Sequence, residues 1–570
     1  MLSLQNAKKR LASVNPAALI IYGLLAWFVV AFLIYPNLNV YYEIFFSDGK
    51  FSLEAVEKLL SSERAMKSLY NSFILAVSLV FTVNIVGIFL VGVVEYFDIK
   101  GAKILKLGYF TTLIYSGVVL VSGYKLIYGE TGFMTKVLKS IFPSFNTGWF
   151  EGYWAVLFVM TFACTSNHVL FLSNAIRKVD FQTIEAAKNM GASTFYILRR
   201  VVLPVLKPTI FALTILLFLT GLAATSAPLI VGGTQFQTIT PMILTFSNSV
   251  YSRDLAALLA LILGLATVIL LAVMIRFEKN GHFMSVSKVK SELVKQKINH
   301  KFGNIAVHAI AYALFAIYVI PVVLIIVFSF TDAKSISTGT LSLDRFTLQN
   351  YKSIFSSLAA FKPYLVSISY AAAASVAVVA LALMASRILH KYHNIWARML
   401  EYAFLIPRML PSTLIAIGLI VTFGTPNPVI GNRVLVGTVW MLLIGYVIVH
   451  IPFTLRMVKA SFFSIDGHLE DAAKNLGARP LYTFRKVLLP IILPSTLAVL
   501  VLNFINILAD YDLTVFLYHP LYQPLGIVIK NSTDAQALAD TKALTLVYSV
   551  ILMIMSSLAL YFVYGRKSRG

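Results

Sequence analysis

The chain has 570 residues but only one cysteine, Cys164, so no disulfide can form within it and the thiol content says nothing about the compartment. Charge is scarce too: Asp, Glu, Lys and Arg make up 12% of the residues, with 24 acidic side chains against 47 basic ones. Soluble domains carry about 25% charged residues, so water is not the main solvent of this protein. The phosphate-cradling pattern G-x-x-x-x-G-K-[ST] is missing. If ATP drives this chain, another chain binds it. The outer loops are short as well, so a substrate-capturing module, if there is one, is expected on a separate chain.

What is abundant is apolar: 59% of the residues are hydrophobic, and the mean hydropathy is +0.82. Runs long enough to cross a hydrocarbon layer of roughly 30 Å recur along the chain. They fall near Ala17 to Tyr35, Tyr70 to Val94, Gly108 to Tyr128, Tyr153 to Ile176, Ile210 to Val231 and Leu255 to Ile275. A second set lies near Ile305 to Phe330, Tyr364 to Met384, Leu400 to Phe423, Val434 to Pro452, Leu497 to Phe516 and Ala543 to Tyr564. The expected fold is an all-α integral membrane protein of about 12 transmembrane helices in two parallel six-helix repeats. The repeats are expected at 1–277 and 303–570, joined by a Lys-rich cytoplasmic linker at 278–302.

The first run follows Lys8, Lys9 and Arg10, as a signal peptide would, but it has full span length and no small-residue cleavage site, so it reads as a helix. The excess of positive charge on cytoplasmic loops places both termini inside. Residues 177–207 agree, with Arg177, Lys178, Lys188, Arg199, Arg200 and Lys207, whereas residues 232–253 carry only Arg253. The formal net charge of +23 therefore reflects short membrane-flanking loops and not nucleic-acid binding.

One 20-residue pattern occurs twice. EAAKNMGASTFYILRRVVLP begins at Glu185 and DAAKNLGARPLYTFRKVLLP at Asp471. The offset is constant, since 477 − 191 for Gly477 and Gly191, 490 − 204 for Pro490 and Pro204, and 466 − 180 for Asp466 and Asp180 all give 286. Glu185, Ala186 and Ala187 suit a short helix with a small-residue face, because alanine favours the helix and keeps no partner at a distance. Gly191 permits the positive φ of a helix stop. Ser193 and Thr194 offer a cap for the next helix, whose apolar side would hold Tyr196, Ile197, Val201 and Val202. Pro204 and Pro208 are expected to fix the angle at which the chain returns to the bilayer.

These residues resemble the EAA motif of the permease subunits of bacterial binding-protein-dependent ATP-binding-cassette importers, and the expected layout extends that likeness over nearly the whole chain. The resemblance implies a type I importer permease with loops at 180–208 and 466–494, each acting as a coupling helix seated in a cytoplasmic ATPase. Asp180, Glu185, Ala186, Ala187, Gly191 and Pro204 would serve one loop. Asp466, Glu470, Asp471, Ala472, Ala473, Gly477 and Pro490 would serve the other, with Asp471 in place of the usual Glu. It also implies no catalytic site and no resident metal or cofactor in this chain, ATP and Mg²⁺ on two partner subunits, an extracytoplasmic binding protein, and a bacterial inner membrane. Fusion of two halves, together with the Pro-punctuated segment from Phe404 to Gly424, is similar to ferric-iron and thiamine permeases and their phosphonate and sugar-phosphate relatives. The segment from Ile114 to Gly123 lacks those prolines.

For the cargo, Asp510, Tyr511 and Asp512 are the leading pathway candidates, with Thr225 and Ser226 among their counterparts at the same offset. Their oxygens suit a hard cation such as iron(III), though a straight helix from Pro490 brings Asp510 close to the outer interface, where a carboxylate is merely solvated. His168, His450, Asn84, Asn167, Asn503 and Asn506 read as groups that bond to neighbouring helices. Lys125 reads as a snorkelling lysine. A secondary transporter built from parallel repeats is the rival class, but it has no use for twin docking loops.

Overall fold

The computed structural model describes residues 16–47, 49–113, 117–177, 179–280, 294–392, 394–466, 468–508, 510–533 and 539–564. The basic stretch at 8–10, Ile114, Lys178 and most of the expected linker lie outside the described residues.

Helices dominate. In chain order the first half holds α1 (Ile20–Phe45), α2 (Glu63–Tyr96), α3 (Ala102–Tyr109), α4 (Gly117–Tyr128), α5 (Tyr153–Ile176), α6 (Phe181–Asn189), α7 (Thr194–Leu222), α8 (Ser226–Val231), α9 (Ile239–Ser247) and α10 (Arg253–Phe277). The second half repeats the series with α11 (Lys301–Ser329), α12 (Leu358–Lys391), α13 (Ile395–Met409), α14 (Ser412–Phe423), α15 (Val439–Phe463), α16 (His468–Asn475), α17 (Pro480–Leu508), α18 (Thr514–Leu517), α19 (Leu525–Ser532) and α20 (Ala539–Tyr564).

Ten helices among the described residues are long and apolar enough to cross a membrane, or eleven if α13 and α14, bent by 107°, count as one. The expected twelve are therefore corrected at the third span of each half, which is a broken helix. Pro407 and Pro411 break it in the second half, where neither can donate a backbone N–H. The first half breaks at the matching place without prolines, giving α3 and α4 where one span from Gly108 to Tyr128 was expected. The fifth and eleventh spans are corrected as well. Their helices stop at Leu222 and Leu508, and the chain continues as α8 and α18.

The two halves interlock. α1 lies on α14 of the other half, where Trp27 Nε1 donates to the Val429 carbonyl at 3.1 Å and Asn39 Nδ2 to Thr422 Oγ1 at 3.3 Å. In the same way α11 lies on α3 and α4, and Tyr109 Oη donates to the Ala311 carbonyl at 2.9 Å. Each half thus lends its first helix to the other, so the repeats at 1–277 and 303–570 are not separately packed bodies.

At the centre of each half sit α5 and α15, 67% and 61% buried over their most apolar windows. Lipid supplies no hydrophobic drive between helices, so small residues and polar bonds must hold them together. α12 packs on α15 through a buried small-residue face that includes Ala371, Ala374, Ser375, Ala382 and Ala385. α2 packs on α5 through a polar seam instead: Ser78 meets Tyr153 at 2.6 Å, Thr82 meets Thr161 at 2.8 Å, and Asn84 meets His168 at 3.2 Å.

Candidate functional site

The repeated motif forms the same elbow twice. Asp180 Oδ1 accepts from the Gln182 N–H at 3.1 Å and Asp466 Oδ1 from the His468 N–H at 3.0 Å, so each aspartate holds the start of its short helix. Each helix ends on a left-handed glycine, Gly191 at φ +85° and Gly477 at φ +80°. The Gly191 N–H reaches the Lys188 carbonyl at 2.9 Å and Ala192 reaches Ala187 at 3.1 Å; Gly477 to Lys474 at 2.9 Å and Ala478 to Ala473 at 3.0 Å repeat the pair. This double bond set satisfies carbonyls that a helix end would otherwise leave open.

Beyond the glycine, the re-entry expected at Pro204 and Pro208 takes the form of one continuous helix. α7 and α17 each run unbroken from the elbow into a membrane-length helix. Just before each proline lies one π-turn, Leu198–Val202 before Pro204 and Phe484–Leu488 before Pro490. The Leu203 N–H reaches back five residues to Leu198, and the Leu489 N–H reaches Phe484. Widening the turn removes the carbonyl that the proline ring would strike four residues back. The same arrangement precedes Pro36 in α1, which runs on to Phe45 and not to Tyr35. Each elbow is therefore joined to its membrane-length helix without a break.

The elbow surfaces are exposed and partly apolar. Ala187 and Ala473 turn inward, whereas Ala186, Ala472, Glu185 and Asp471 face out. Met190 and Leu476, at the same offset, are 83% and 88% exposed. Phe195 and Tyr196 match Leu481 and Tyr482, all exposed, so Tyr196 does not join the apolar side expected of it, while Ile197 and Val202 do. Six crossings separate the loops when α13 and α14 count as one span, so both emerge on the same face.

Sequence reasoning missed how the elbows are tied down. The Arg387 guanidinium, at the end of α12, grips Glu470 with both nitrogens, Nη1 to Oε2 at 2.8 Å and Nη2 to Oε1. That guanidinium holds the Glu470 carboxyl below the ordinary glutamate range. In the first half the position equivalent to Glu470 is Ile184 (470 − 286), which carries no carboxylate. There Glu95, at the end of α2, takes Lys106 at 2.7 Å and Arg177 at 3.7 Å. The available signal was an arginine at the membrane end of a span opposite a carboxylate of the motif.

At the other end of the elbow helices, the pathway candidates separate into two groups. Asp510 Oδ2 accepts from the Thr514 N–H at 3.1 Å and from Thr514 Oγ1 at 2.8 Å, which fixes the start of α18. Thr225 and Tyr511 are buried, and Thr225 Oγ1 donates to the Ala223 carbonyl at 3.1 Å. Only Ser226 and the exposed Asp512 face one another, with Ser226 Oγ donating to Asp512 Oδ1 at 2.9 Å. Since 512 − 226 is 286, these are the same position of the two repeats. Equivalent positions touch only beside the axis that relates the halves.

Of the other polar residues, His168 and Asn84 bond to each other, and Asn503 Nδ2 donates to Thr454 Oγ1 at 2.7 Å. Asn167 and Asn506 are exposed, contrary to expectation. Lys125 does not snorkel; its Nζ donates to the Ile230 carbonyl at 2.9 Å.

Residues 64–279 and 377–569 each match the family model described as the binding-protein-dependent transport system inner membrane component. The chain belongs to that family and is a permease of the ATP-binding-cassette importer type, with the domain present twice. A protein of Sinorhizobium fredii, named provisionally as an ABC transporter permease, is 40% identical over 96% of this chain and 95% of its own length. A Salmonella typhimurium protein, named provisionally as the 2-aminoethylphosphonate transport system permease protein PhnV, is 28% identical over 42% of this chain and 90% of its own. The ferric transport system permease protein FbpB of Actinobacillus pleuropneumoniae is 20% identical over 93% of this chain and 76% of its own.

Proposed function

We propose that this chain is the solute path of an ATP-driven importer in a bacterial inner membrane, with both termini and both elbows in the cytoplasm. The observation that carries the reading is the duplicated elbow, in which an exposed helix, a left-handed glycine and an unbroken π-turned helix form one stiff lever per half. α6 and α16 dock on two copies of an ATPase subunit, which hold ATP and Mg²⁺ between them, and a separate extracytoplasmic protein delivers the cargo. ATP-driven closure of those subunits draws the elbows together and tilts α7 and α17, and the work is done by the difference in affinity for the two membrane states. Co-purification of an ATPase with this chain, together with vanadate-sensitive uptake in vesicles, is the expected result. Uptake driven by an ion gradient with no ATPase present would support a secondary transporter instead.

For the cargo, iron(III) is supported by the exposed carboxylate of Asp512 beside the axis and by the likeness to a ferric permease. An organic phosphonate is the second reading. It is favoured by the higher identity to the phosphonate-named relative and by Asp510, whose carboxylate is engaged at the start of α18 and not turned to a cation. Uptake of radiolabelled iron(III) and of a labelled aminoalkylphosphonate by the complete transporter distinguishes the two.

A further inference from the structure

A cavity of about 550 Å³ opens where α4 and the end of α8 in the first half meet α20 of the second. Its volume is in the range of small-molecule sites. Ser122, Lys125, Lys542 and Thr545 line it among others, and the exposed residues Glu130 and Glu151 join the lining. Ser122 is 8% exposed, and its Oγ has no hydrogen-bond partner among the described residues. Lys125 is held over the cavity by its bond to the Ile230 carbonyl, and Lys542 has no carboxylate within 4.0 Å among the described residues. Glu151 lies against Gly233, where a Cβ would come within 2.1 Å of its Oε1, so the glycine leaves room for this carboxylate.

The matching place in the other half shows that the fold does not require such a hollow. α4 and α14 end 295 apart (423 − 128), and Gly123 with Gly418 and Gly129 with Gly424 keep that offset, which pairs Ser122 with Ile417 and Lys125 with Ile420. The offset of 286 pairs Lys542 with Ala256 and Thr545 with Leu259. Ile417, Ile420, Ala256 and Leu259 pack together in one apolar cluster. One half therefore fills this site with hydrocarbon, whereas the other lines it with two ammonium groups and an unpartnered hydroxyl. A buried polar group without a partner costs free energy that a bound ligand would recover.

We propose that this cavity binds a small zwitterionic solute. The oxyanion sits between Lys125, Lys542 and the Ser122 hydroxyl, and the amine points to Glu130 and Glu151. The site does not depend on which cargo follows the axis.

Binding is measured by calorimetry on the purified transporter in phosphatidylcholine nanodiscs, with inorganic phosphate, methylphosphonate and an aminoalkylphosphonate as probes. The aminoalkylphosphonate is expected to bind about tenfold more tightly than methylphosphonate, as one added charge-assisted hydrogen bond would give. Lys542→Gln should weaken all three probes by about tenfold, and Glu151→Gln only the amine-bearing one. Ser122→Ile with Thr545→Leu copies the other half, so it should stay folded and lose binding. No saturable binding to the unaltered protein, or unchanged binding in Lys542→Gln, overturns the proposal. So does loss of solute binding when phosphatidylglycerol is added, since a lipid phosphate would then own the site. Because binding is read without the partner proteins, failure of the importer reading would leave this result unchanged.

Discussion

Ser226 and Asp512 are one position of an ancestral repeat seen twice, and their side chains are hydrogen-bonded to each other at 2.9 Å. A contact between a residue and its own counterpart pins the two halves together beside the axis. Separating the two halves at this point requires breaking it.

A disulfide at this pair should therefore lock the transporter. With Cys164 replaced by alanine, Ser226→Cys combined with Asp512→Cys is expected to cross-link under oxidant, abolish uptake, and recover on reduction. Uptake that continues in fully cross-linked protein would show that the halves do not part there.

Gly191 and Gly477 have open space where a Cβ would stand, so their requirement is conformational and not steric. Alanine at either position should cost about 1–2 kcal/mol through the left-handed backbone alone. The expected result is a membrane-inserted protein whose ATP hydrolysis runs with reduced transport, read as transport per ATP consumed in proteoliposomes. A larger residue such as valine should add little beyond alanine, except for its branched Cβ.

The Arg387 and Glu470 pair ties one elbow to α12, and its pH dependence has a definite sign. Because the carboxyl is held below the ordinary glutamate value, the pair's contribution is fully present above about pH 4.3 and fades as the pH falls through the lower folded value. Transport between about pH 5 and 8 should thus be indifferent to this group. Arg387→Ala is expected to destabilise the elbow by about 1 kcal/mol or less, since both side chains keep some solvent contact. Faster amide exchange across α16, with α6 unchanged, is the observation that checks it.

Asn84 bridges α2 to His168 of α5 and Thr214 of α7. Asn84→Leu should lower thermal stability by roughly 0.6 to 1.7 kcal/mol, in line with single interhelical hydrogen bonds in lipid. An equal loss on mutating Asn506, which is exposed, would contradict this division of roles.

Much of the architecture was legible in the sequence. Hydrophobic runs follow from the thickness of the bilayer, and the 286-residue offset marked both elbows, their capping aspartates and their glycine stops, because these depend on local backbone chemistry. The third span of each half reads as continuous, even across Pro407 and Pro411 in the second, because hydropathy carries on through the break. The prolines of the motif mark where the chain re-enters the bilayer, but no residue type signals the π-turn that absorbs their strain upstream. Asp510 and Asp512 looked alike as letters, yet one fixes the start of a helix and the other faces its counterpart.

The sequence by itself determined a duplicated, helical membrane chain with two matching loops, since hydropathy, proline, glycine and capping preferences act over a few residues. Tertiary structure decided which helices exchange between halves, which carboxylate reaches the axis, which arginine grips Glu470, and that one of two equivalent sites is hollow and polar. Those outcomes depend on side chains hundreds of positions apart meeting within a few ångströms, and packing alone sets such meetings.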